Sequence, residues 1–269
     1  MTTDHTLRVE DLTLGYGERT VIEGLDFEPS AGGITSIVGA NASGKSTLLR
    51  SMARLLTPRE GQVLLDGQQI HRMPAKQLAR TLGLLPQSPI TPEGITVADL
   101  VGRGRHPHQG LFSRWSTADD DAVAAALDAT HTADLAERPV DELSGGQRQR
   151  VWVAMALAQG TDLLLLDEPT TFLDVSHQVE VLDLLTDLNR AHGITVVMVL
   201  HDLNLAARYS DQLVMIAGGV VAATGAPAEV LTEQRVADVF GLRSRVITDP
   251  VSGTPLMVPI GRHHVAEPC

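Results

Sequence analysis

Apolar and polar residues along this chain alternate in a way that predicts an α/β fold. Four segments are apolar at nearly every position, which is typical of parallel strands covered on both faces. They are ITSIV at 34–38, LGLLP at 82–86, LLLLD at 163–167 and ITVVMVL at 194–200. Helical patterns at 45–56, 146–159 and 175–191 lie between them. This alternation of strand and helix is typical of a doubly wound parallel sheet.

A second, smaller sheet is predicted near the N-terminus. LRVEDLTLGYG at 7–17 and TVIEGLDFEPSAGG at 20–33 have the pattern of short strands that end in turns, and QVLLDGQQI at 62–70 contains an Asp-Gly turn signal. Strands joined by short turns pair antiparallel. We therefore expect an antiparallel β subdomain that flanks the parallel sheet.

Two other regions differ in composition. From about 88 to 160, prolines and the segment GRGRHPHQG precede STADDDAVAAALDA, where Ser116 or Thr117 can cap a helix. We interpret 88–160 as a mostly helical insertion. In the tail, 225–269, PAEVLTEQRVADVF predicts a helix, and two strands are predicted around an Asp-Pro and a Gly-Thr-Pro turn. No residue pattern in the tail indicates a chemical function.

Composition excludes several classes of protein. Of the 269 residues, 43% are hydrophobic, which disfavours disorder, and the net charge of -12 argues against nucleic acid as a partner. Cys269 is the one cysteine, which leaves no internal disulfide and no cysteine metal cluster. No signal peptide is visible, and the apolar runs are shorter than the roughly 18 residues that span a bilayer. Any role at a membrane is expected to come through a partner protein.

The segment GANASGKST, residues 39–47, fits the pattern G-x-x-x-x-G-K-S/T between a predicted strand and a predicted helix. Gly39 and Gly44 let the backbone curl so that amide N–H groups point inward, and the helix adds its positive dipole end. Lys45 is then expected to reach the terminal phosphates of a nucleoside triphosphate, while Ser46 offers its hydroxyl to magnesium. The alternative is a glycine-rich loop that binds nothing.

Two acidic residues, Asp167 and Glu168, end the predicted strand LLLLD. The first can hold magnesium and the second can orient and deprotonate an attacking water, with the phosphate loop expected on a neighbouring strand. His201 follows the next apolar strand, at the edge where open α/β sheets bind ligands, so it can touch the terminal phosphate. The alternatives are an acidic turn and an ordinary loop histidine.

A second anion-binding helix N-terminus is predicted at LSGGQRQR, where Ser144, Gly145 and Gly146 precede a long helix. One triphosphate does not need two such cradles from the same chain. We therefore expect two copies to associate head to tail, each closing the nucleotide site of the other.

Taken together, GANASGKST, LLPQ, LSGGQ, LLLLDEP, TFLD and His201 resemble the ATP-binding cassette (ABC) ATPases in order and spacing. The resemblance covers nearly the whole chain and implies a single P-loop NTPase domain over 1–269, with a RecA-like core. It also implies that two ATP molecules, with Mg²⁺, lie between two copies. By motif match, the residues that would bind nucleotide are Gly39, Asn41, Gly44, Lys45, Ser46 and Thr47 of one copy and Ser144, Gly145, Gly146 and Gln147 of the other.

The same resemblance implies roles for five further residues. Asp167 would support the metal, Glu168 would be the catalytic base and His201 the switch histidine. Gln87 would contact magnesium, act in catalysis and link the core to the helical insertion; otherwise it is an exposed polar residue after a proline. Asp174 would lie at the shared nucleotide site and communicate across the dimer.

Tyr16 matches the aromatic on which adenine stacks in this family, although it could instead be a surface aromatic of the antiparallel sheet. The chain departs from the family pattern elsewhere. Ala40 and Ala42 stand where the family more often has Pro and Gly, and we expect binding to survive this change. Phe172 replaces a small residue in TTFLD.

GRGRHPHQGLFSRWS and TTFLDVSHQVEVLDLL resemble the ATPases of importers for ferric siderophores, haem and vitamin B12, with the siderophore branch closest. This resemblance implies a peripheral subunit at the cytoplasmic face of the inner membrane, bound to an integral membrane permease and served indirectly by an extracytoplasmic substrate-binding protein. Residues 88–115 would then form the permease groove, or else an exposed polar loop. Direct iron binding by GRHPH or the terminal RHH is disfavoured.

Two other classes of function stay open. One is a cytosolic cassette ATPase that acts as a scaffold in iron–sulfur cluster assembly. The other is a module that binds ATP without hydrolysing it, against which Lys45, Asp167, Glu168 and His201 together argue.

Overall fold

A computed structural model describes residues 5–110 and 115–263 of the chain. Its strands form the two predicted sheets and a separate hairpin near the C-terminus, and the larger sheet gains two strands, Gln212–Ala217 and Val220–Gly225, that the sequence analysis did not predict. They are β1 Leu7–Tyr16, β2 Arg19–Phe27, β3 Ile34–Gly39, β4 Glu60–Leu65, β5 Gln68–Gln69, β6 Leu82–Leu85, β7 Leu163–Asp167, β8 Thr195–Val199, β9 Gln212–Ala217, β10 Val220–Gly225, β11 Ser244–Thr248 and β12 Pro255–Pro259.

The helices lie mainly on the two faces and at one end of the larger sheet. They are α1 Lys45–Met52, α2 Ala75–Thr81, α3 Val97–Gly102, α4 Thr117–Ala129, α5 Gly145–Ala158, α6 Val175–His192, α7 Leu203–Tyr209, α8 Pro227–Val230 and α9 Glu233–Phe240. Short 3₁₀ turns occur between several of them, the longest at Arg103–His108.

The larger sheet has the strand order β10-β9-β3-β8-β7-β6, and the five strands from β9 to β6 run parallel. Every residue of β3, β7 and β8 is buried, which is why these segments are apolar at nearly every position. The predicted parallel strands are therefore confirmed. The expectation that the phosphate loop and the two acids stand on neighbouring strands is wrong, because β8 lies between β3 and β7.

The two faces of this sheet pack on different layers. Leu163, Leu165 and Val199 face α1 and the antiparallel sheet β2-β1-β4-β5. Leu164, Leu166 and neighbouring residues face the helices, including α5 and α6. The chain thus has a helix-covered parallel sheet with an antiparallel β layer on its other side, as its pattern predicts.

Between β6 and β7, the described residues form helices and turns but no strand, in agreement with the predicted helical insertion. α4 begins after Ser116, whose backbone N–H donates to Asp119 Oδ2 at 3.0 Å in a capping box. α3, α4 and α5 share one apolar core with the central sheet. The boundaries of this insertion as a subdomain stay a prediction.

Helix α1 is shorter than predicted, since it ends at Met52 rather than near 56. Arg54 takes a left-handed backbone conformation with φ of 60°, which cannot continue a helix. Its guanidinium donates to the carbonyl oxygens of Ile70 and Met73, at 3.2 and 2.7 Å. This long-range anchoring, which is invisible in local sequence, stops the helix.

The two tail strands predicted from the turn signals pair as the antiparallel hairpin β11–β12. The hairpin packs on α7, where the Asn204 side chain donates to the carbonyl oxygen of Met257 and accepts from its N–H. Among the described residues, no helix is long and apolar enough to cross a membrane.

Candidate functional site

The phosphate loop lies between the end of β3 and the start of α1. Gly39 has φ of 155°, and a Cβ at this position would overlap the carbonyl oxygen of Ile216 on β9. Only glycine therefore lets β3 pass this close to β9 and turn. Ala42 adopts φ of 61°, a conformation that glycine enters at less cost, so the departure from the family pattern falls on a left-handed position. Whether binding survives it stays a prediction.

Lys45 lies buried under this loop, with 5% of its surface exposed. Its Nζ donates to the carbonyl oxygens of Gly39 and Ala40, each at 3.0 Å. Burial lowers the pKa of Lys45, and the nearby carboxylates of Glu168 and Asp167 act in the opposite direction. A phosphate in the loop can replace these carbonyl oxygens as a stronger, charged partner.

Ser46 and Asp167 form a pair suited to a divalent cation. The Ser46 hydroxyl donates to Oδ1 of Asp167 at 2.8 Å, and Asp167 is only 4% exposed. Burial raises the pKa of Asp167, and the hydrogen bond from Ser46 opposes this effect. Since magnesium prefers hard oxygen ligands and its charge would compensate the buried carboxylate, these two residues fit Mg²⁺.

Glu168 follows directly and is held by three side chains. Gln87 Nε2 donates to Glu168 Oε2 at 2.5 Å, Thr171 Oγ1 donates to the same oxygen at 3.0 Å, and His201 Nε2 lies 2.6 Å from Oε1. The structure thus brings together Glu168, Gln87 and His201, which the sequence analysis named separately. Gln87 is exposed but bonded to Glu168, whereas its expected contact with magnesium stays a prediction.

Thr171 was missed by the sequence analysis. It lies three residues after Glu168 in a turn, and no pattern marks its hydroxyl as different from that of Thr170. Only the hydrogen bond to Glu168 identifies it.

A groove of about 460 Å³ opens over the phosphate loop. The residues that line it are Tyr16, Arg19, Val21, Asn41, Ala42, Ser43, Gly44, Lys45, Ser46, Thr47, Glu168 and His201. Tyr16 is 47% exposed at this groove, a position from which its ring can stack on a planar base. Arg19 and Val21, on β2, were not expected from the sequence because nothing in a strand pattern marks them. Stacking by Tyr16 stays a prediction.

Ser43, also in the loop, has a buried hydroxyl without a hydrogen-bond partner among the described residues. Buried polar atoms in folded proteins are nearly always paired. An orphaned hydroxyl within the loop therefore fits a cradle built for a polar ligand.

Residues 144–147 lie outside this groove. Ser144 caps α5, since its Oγ accepts from the N–H of Gln147 and its own N–H donates to Gln147 Oε1. Asp174, which also lies outside the groove, caps α6 by accepting from the N–H of His177 at 3.0 Å. Hydrogen bonds from His177 and Ser176 lower the pKa of Asp174 to about 2. Within one chain, the two predicted anion-binding segments are therefore separate.

Comparisons with known proteins agree with this geometry. Residues 22–171, more than half of the chain, match the profile of the family described as ABC transporter. The ferric enterobactin transport ATP-binding protein of Escherichia coli strain K12 is 54% identical over 95% of this chain and 94% of its own length. The achromobactin transport ATP-binding protein of Dickeya dadantii strain 3937 is 54% identical over 96% of each chain.

A solved structure gives the same result at the level of the fold. The ATP-binding cassette MJ0796, solved as a dimer in a post-hydrolysis state bound to ADP and phosphate, superposes with a TM-score of 0.71. It is 26% identical, and the match covers 82% of this chain and 98% of that chain. The chain belongs to the ABC transporter family and is an ATPase.

Proposed function

We propose that this chain is the ATP-hydrolysing motor subunit of an importer for ferric siderophores. Two relatives that match over nearly their whole length at 54% identity are named for the transport of ferric enterobactin and of achromobactin. The observation that carries the catalytic part is the set of contacts that Glu168 makes with Gln87, Thr171 and His201 beside the Ser46–Asp167 pair.

Each side chain of the site has a role in this proposal. Lys45 binds the terminal phosphates of ATP. Ser46, Asp167 and Gln87 would hold Mg²⁺, which would neutralise charge that develops on the phosphate oxygens. Glu168 accepts a proton from the attacking water, because its carboxylate lies next to the phosphate loop and is only 10% exposed. His201, on the other side of the carboxylate, contacts the terminal phosphate.

Hydrolysis requires a second copy of the chain in this proposal. Ser144 to Gln147 cannot serve the groove of their own chain without moving, since they do not line it. The dimeric state of the solved cassette supports the same arrangement. ATP then joins two chains, and its hydrolysis lets them separate.

The chain acts at the cytoplasmic face of the inner membrane, bound to a permease. A groove of about 490 Å³ between α3, the Arg103–His108 turn and α4 supports a docking site for the permease on the helical insertion. Trp115 lies at this groove, 47% exposed, with its Nε1 donating to Asp120 Oδ1 at 2.5 Å. An aromatic ring beside charged side chains suits an amphipathic helix of the permease. A substrate-binding protein outside the membrane would supply the siderophore.

The substitution Glu168→Gln tests the catalytic part. The variant is expected to bind ATP and to form a stable dimer with it, because Lys45 and the loop are intact, while phosphate release falls by a factor of about 100 or more. Light scattering measures formation of the ATP-bound dimer, and a phosphate-release assay measures hydrolysis. Glu137→Gln, at an exposed position, is the matched control. Unchanged hydrolysis by Glu168→Gln would remove the assignment.

Uptake of labelled compounds tests the transport part. Cells that lack this chain are expected to lose uptake of at least one ferric siderophore and to keep uptake of haem and cobalamin. Loss of haem or cobalamin uptake alone would replace the siderophore by that compound. Copurification with soluble iron–sulfur assembly proteins, rather than with a membrane permease, would contradict the importer itself.

A further inference from the structure

Two segments that have separate roles in the proposed function lie against each other within one chain. One is the start of α5 with Gly145 and Gly146, and the other is the turn at 172–177 that follows the acids and begins α6. Leu173 Cδ2 lies 3.8 Å from the point where a Cβ on Gly145 would stand, which leaves ordinary contact distance. At Gly146 the fit is much tighter.

Gly146 is buried against the imidazole ring of His177. A Cβ on Gly146 would overlap Cδ2 of that ring and lie 2.7 Å from Cγ and 2.8 Å from Nε2. Carbon atoms that are not bonded need about 3.5 Å or more. The ring therefore occupies the place of the missing side chain, and residue 146 must be glycine while the ring is there.

The ring of His177 is itself fixed from the opposite side. Its Nδ1 lies 2.7 Å from Oδ1 of Asp174, and the same oxygen accepts the backbone N–H of His177 at 3.0 Å. The Ser176 hydroxyl donates to this oxygen as well, at 2.8 Å. About one third of the His177 side chain is exposed, so the ring is mostly enclosed between Asp174 and Gly146.

We propose that His177 is a positioning residue that sets residues 144–147 relative to the turn 168–174. The inference rests on the proposed function, in which residues 144–147 meet the triphosphate bound by the second copy. The turn that carries Glu168 and Asp174 then determines, through the His177 ring, where the glycines of its own chain stand. Each chain thereby links its hydrolytic carboxylate to the surface that it presents to the ATP of its partner.

The test uses the Glu168→Gln chain, in which ATP-driven dimers persist. Adding His177→Ala is expected to raise the dissociation constant of the ATP-bound dimer at least about tenfold, while nucleotide binding by the dilute single chain stays within about twofold. Sedimentation measures the dimer, and a fluorescent ATP analogue measures the single chain. His192→Ala, at the other end of α6, is the matched control and is expected to change neither quantity.

Two further variants separate positioning from simple stabilisation. His177→Phe keeps a ring against Gly146. It is expected to restore at least half of the dimer affinity that His177→Ala removes. Gly146→Ala is expected to lower the melting temperature of the Glu168→Gln parent. It is not expected to lower that of the chain that also carries His177→Ala, because the imidazole ring no longer occupies the space beside residue 146.

Three results would overturn the inference. The first is an unchanged dissociation constant of the ATP-bound dimer in His177→Ala. The second is a loss of nucleotide binding by the single chain as large as the loss of dimer affinity. The third is an equal fall in melting temperature on Gly146→Ala whether residue 177 is His or Ala. Absence of a dimer from the Glu168→Gln parent would instead refute the proposed function, and the inference with it.

Discussion

Glu168 stands in a left-handed backbone conformation, with φ of 56°, at the first position after β7. Such a conformation costs a residue with a side chain about 1 kcal/mol or more and persists where the surroundings fix it. Here Gln87, Thr171 and His201 all contact the carboxylate. The strain and the three contacts together hold one orientation of the carboxylate toward the groove.

Thr171 is expected to contribute to catalysis through this orientation. Thr171→Val removes the hydroxyl at nearly constant volume, and the loss of one hydrogen bond to a charged group predicts a roughly tenfold fall in kcat with little change in KM for ATP. Steady-state kinetics measure both quantities. Thr171→Ser is expected to restore kcat, and Thr170→Val is the neighbouring control. Equal effects of the two valine substitutions would show that only the turn, not the hydroxyl, was disturbed.

At the scale of elements, the helical insertion is tied together by Arg105. Its Nε donates to Asp119 Oδ1 at 2.9 Å at the N-terminus of α4, and its Nη1 donates to the carbonyl oxygen of Ala158 at the end of α5. A carboxylate at a helix N-terminus and a cation at a helix C-terminus both suit the helix dipoles. Arg105 thus joins the start of α4 to the end of α5, the helix that begins at Gly145.

The Arg105–Asp119 pair predicts a pH-dependent contribution to stability. Hydrogen bonds from Arg105 and Ser116 lower the pKa of Asp119 from 3.8 to about 2. Since the folded pKa is the lower one, the contribution is complete above the unfolded value and is lost as the pH falls toward 2. Asp119→Asn is expected to lower the urea midpoint clearly at pH 7.

The difference between wild type and Asp119→Asn should shrink when urea unfolding is measured at successively lower pH below about 4. Asp121→Asn, at an exposed position two residues further along α4, should have a small effect at every pH. A difference that stays constant down to pH 2 would contradict the ion pair as its cause.

Across the whole molecule, the three surfaces to which the proposed function assigns a role are separate. The ATP groove, the segment 144–147 and the groove beside Trp115 lie in different parts of the fold. A motor needs this separation, because events at one surface must move another. α5 starts at Gly145, and the carbonyl oxygen of Ala158 at its end accepts from Arg105. Arg105 belongs to the turn whose Arg103 and His106 line the groove beside Trp115.

Trp115→Ala tests the third surface. Removal of the half-exposed ring is expected to weaken stimulation of ATP hydrolysis by the permease several-fold, expressed relative to the rate of the isolated chain carrying the same substitution. The measurement uses the complete transporter in proteoliposomes. Val251→Ala, which removes an exposed apolar side chain from the C-terminal hairpin turn, is the control. Equal stimulation of Trp115→Ala and wild type would place the permease elsewhere.

Features that depend on neighbouring residues along the chain were predictable before the fold was known. Mostly apolar runs identified β3, β6, β7 and β8, because strands buried on both faces carry few polar side chains. The glycines and Lys45 of the phosphate loop, with the two acids at the end of β7, identified the chemistry, since each motif is local and its spacing is constrained by phosphate and metal. Family membership followed from the order of these motifs.

Contacts between residues far apart along the chain became visible only in the folded structure. Gln87 and Glu168 are 81 positions apart and meet because β6 and β7 are neighbours in the sheet. Thr171 and His177 have no sequence signal, since their importance comes from the carboxylate and the glycine that they contact. The early end of α1 and the insertion of β8 between β3 and β7 were missed for the same reason: long-range packing leaves no periodic pattern in the residues that make it.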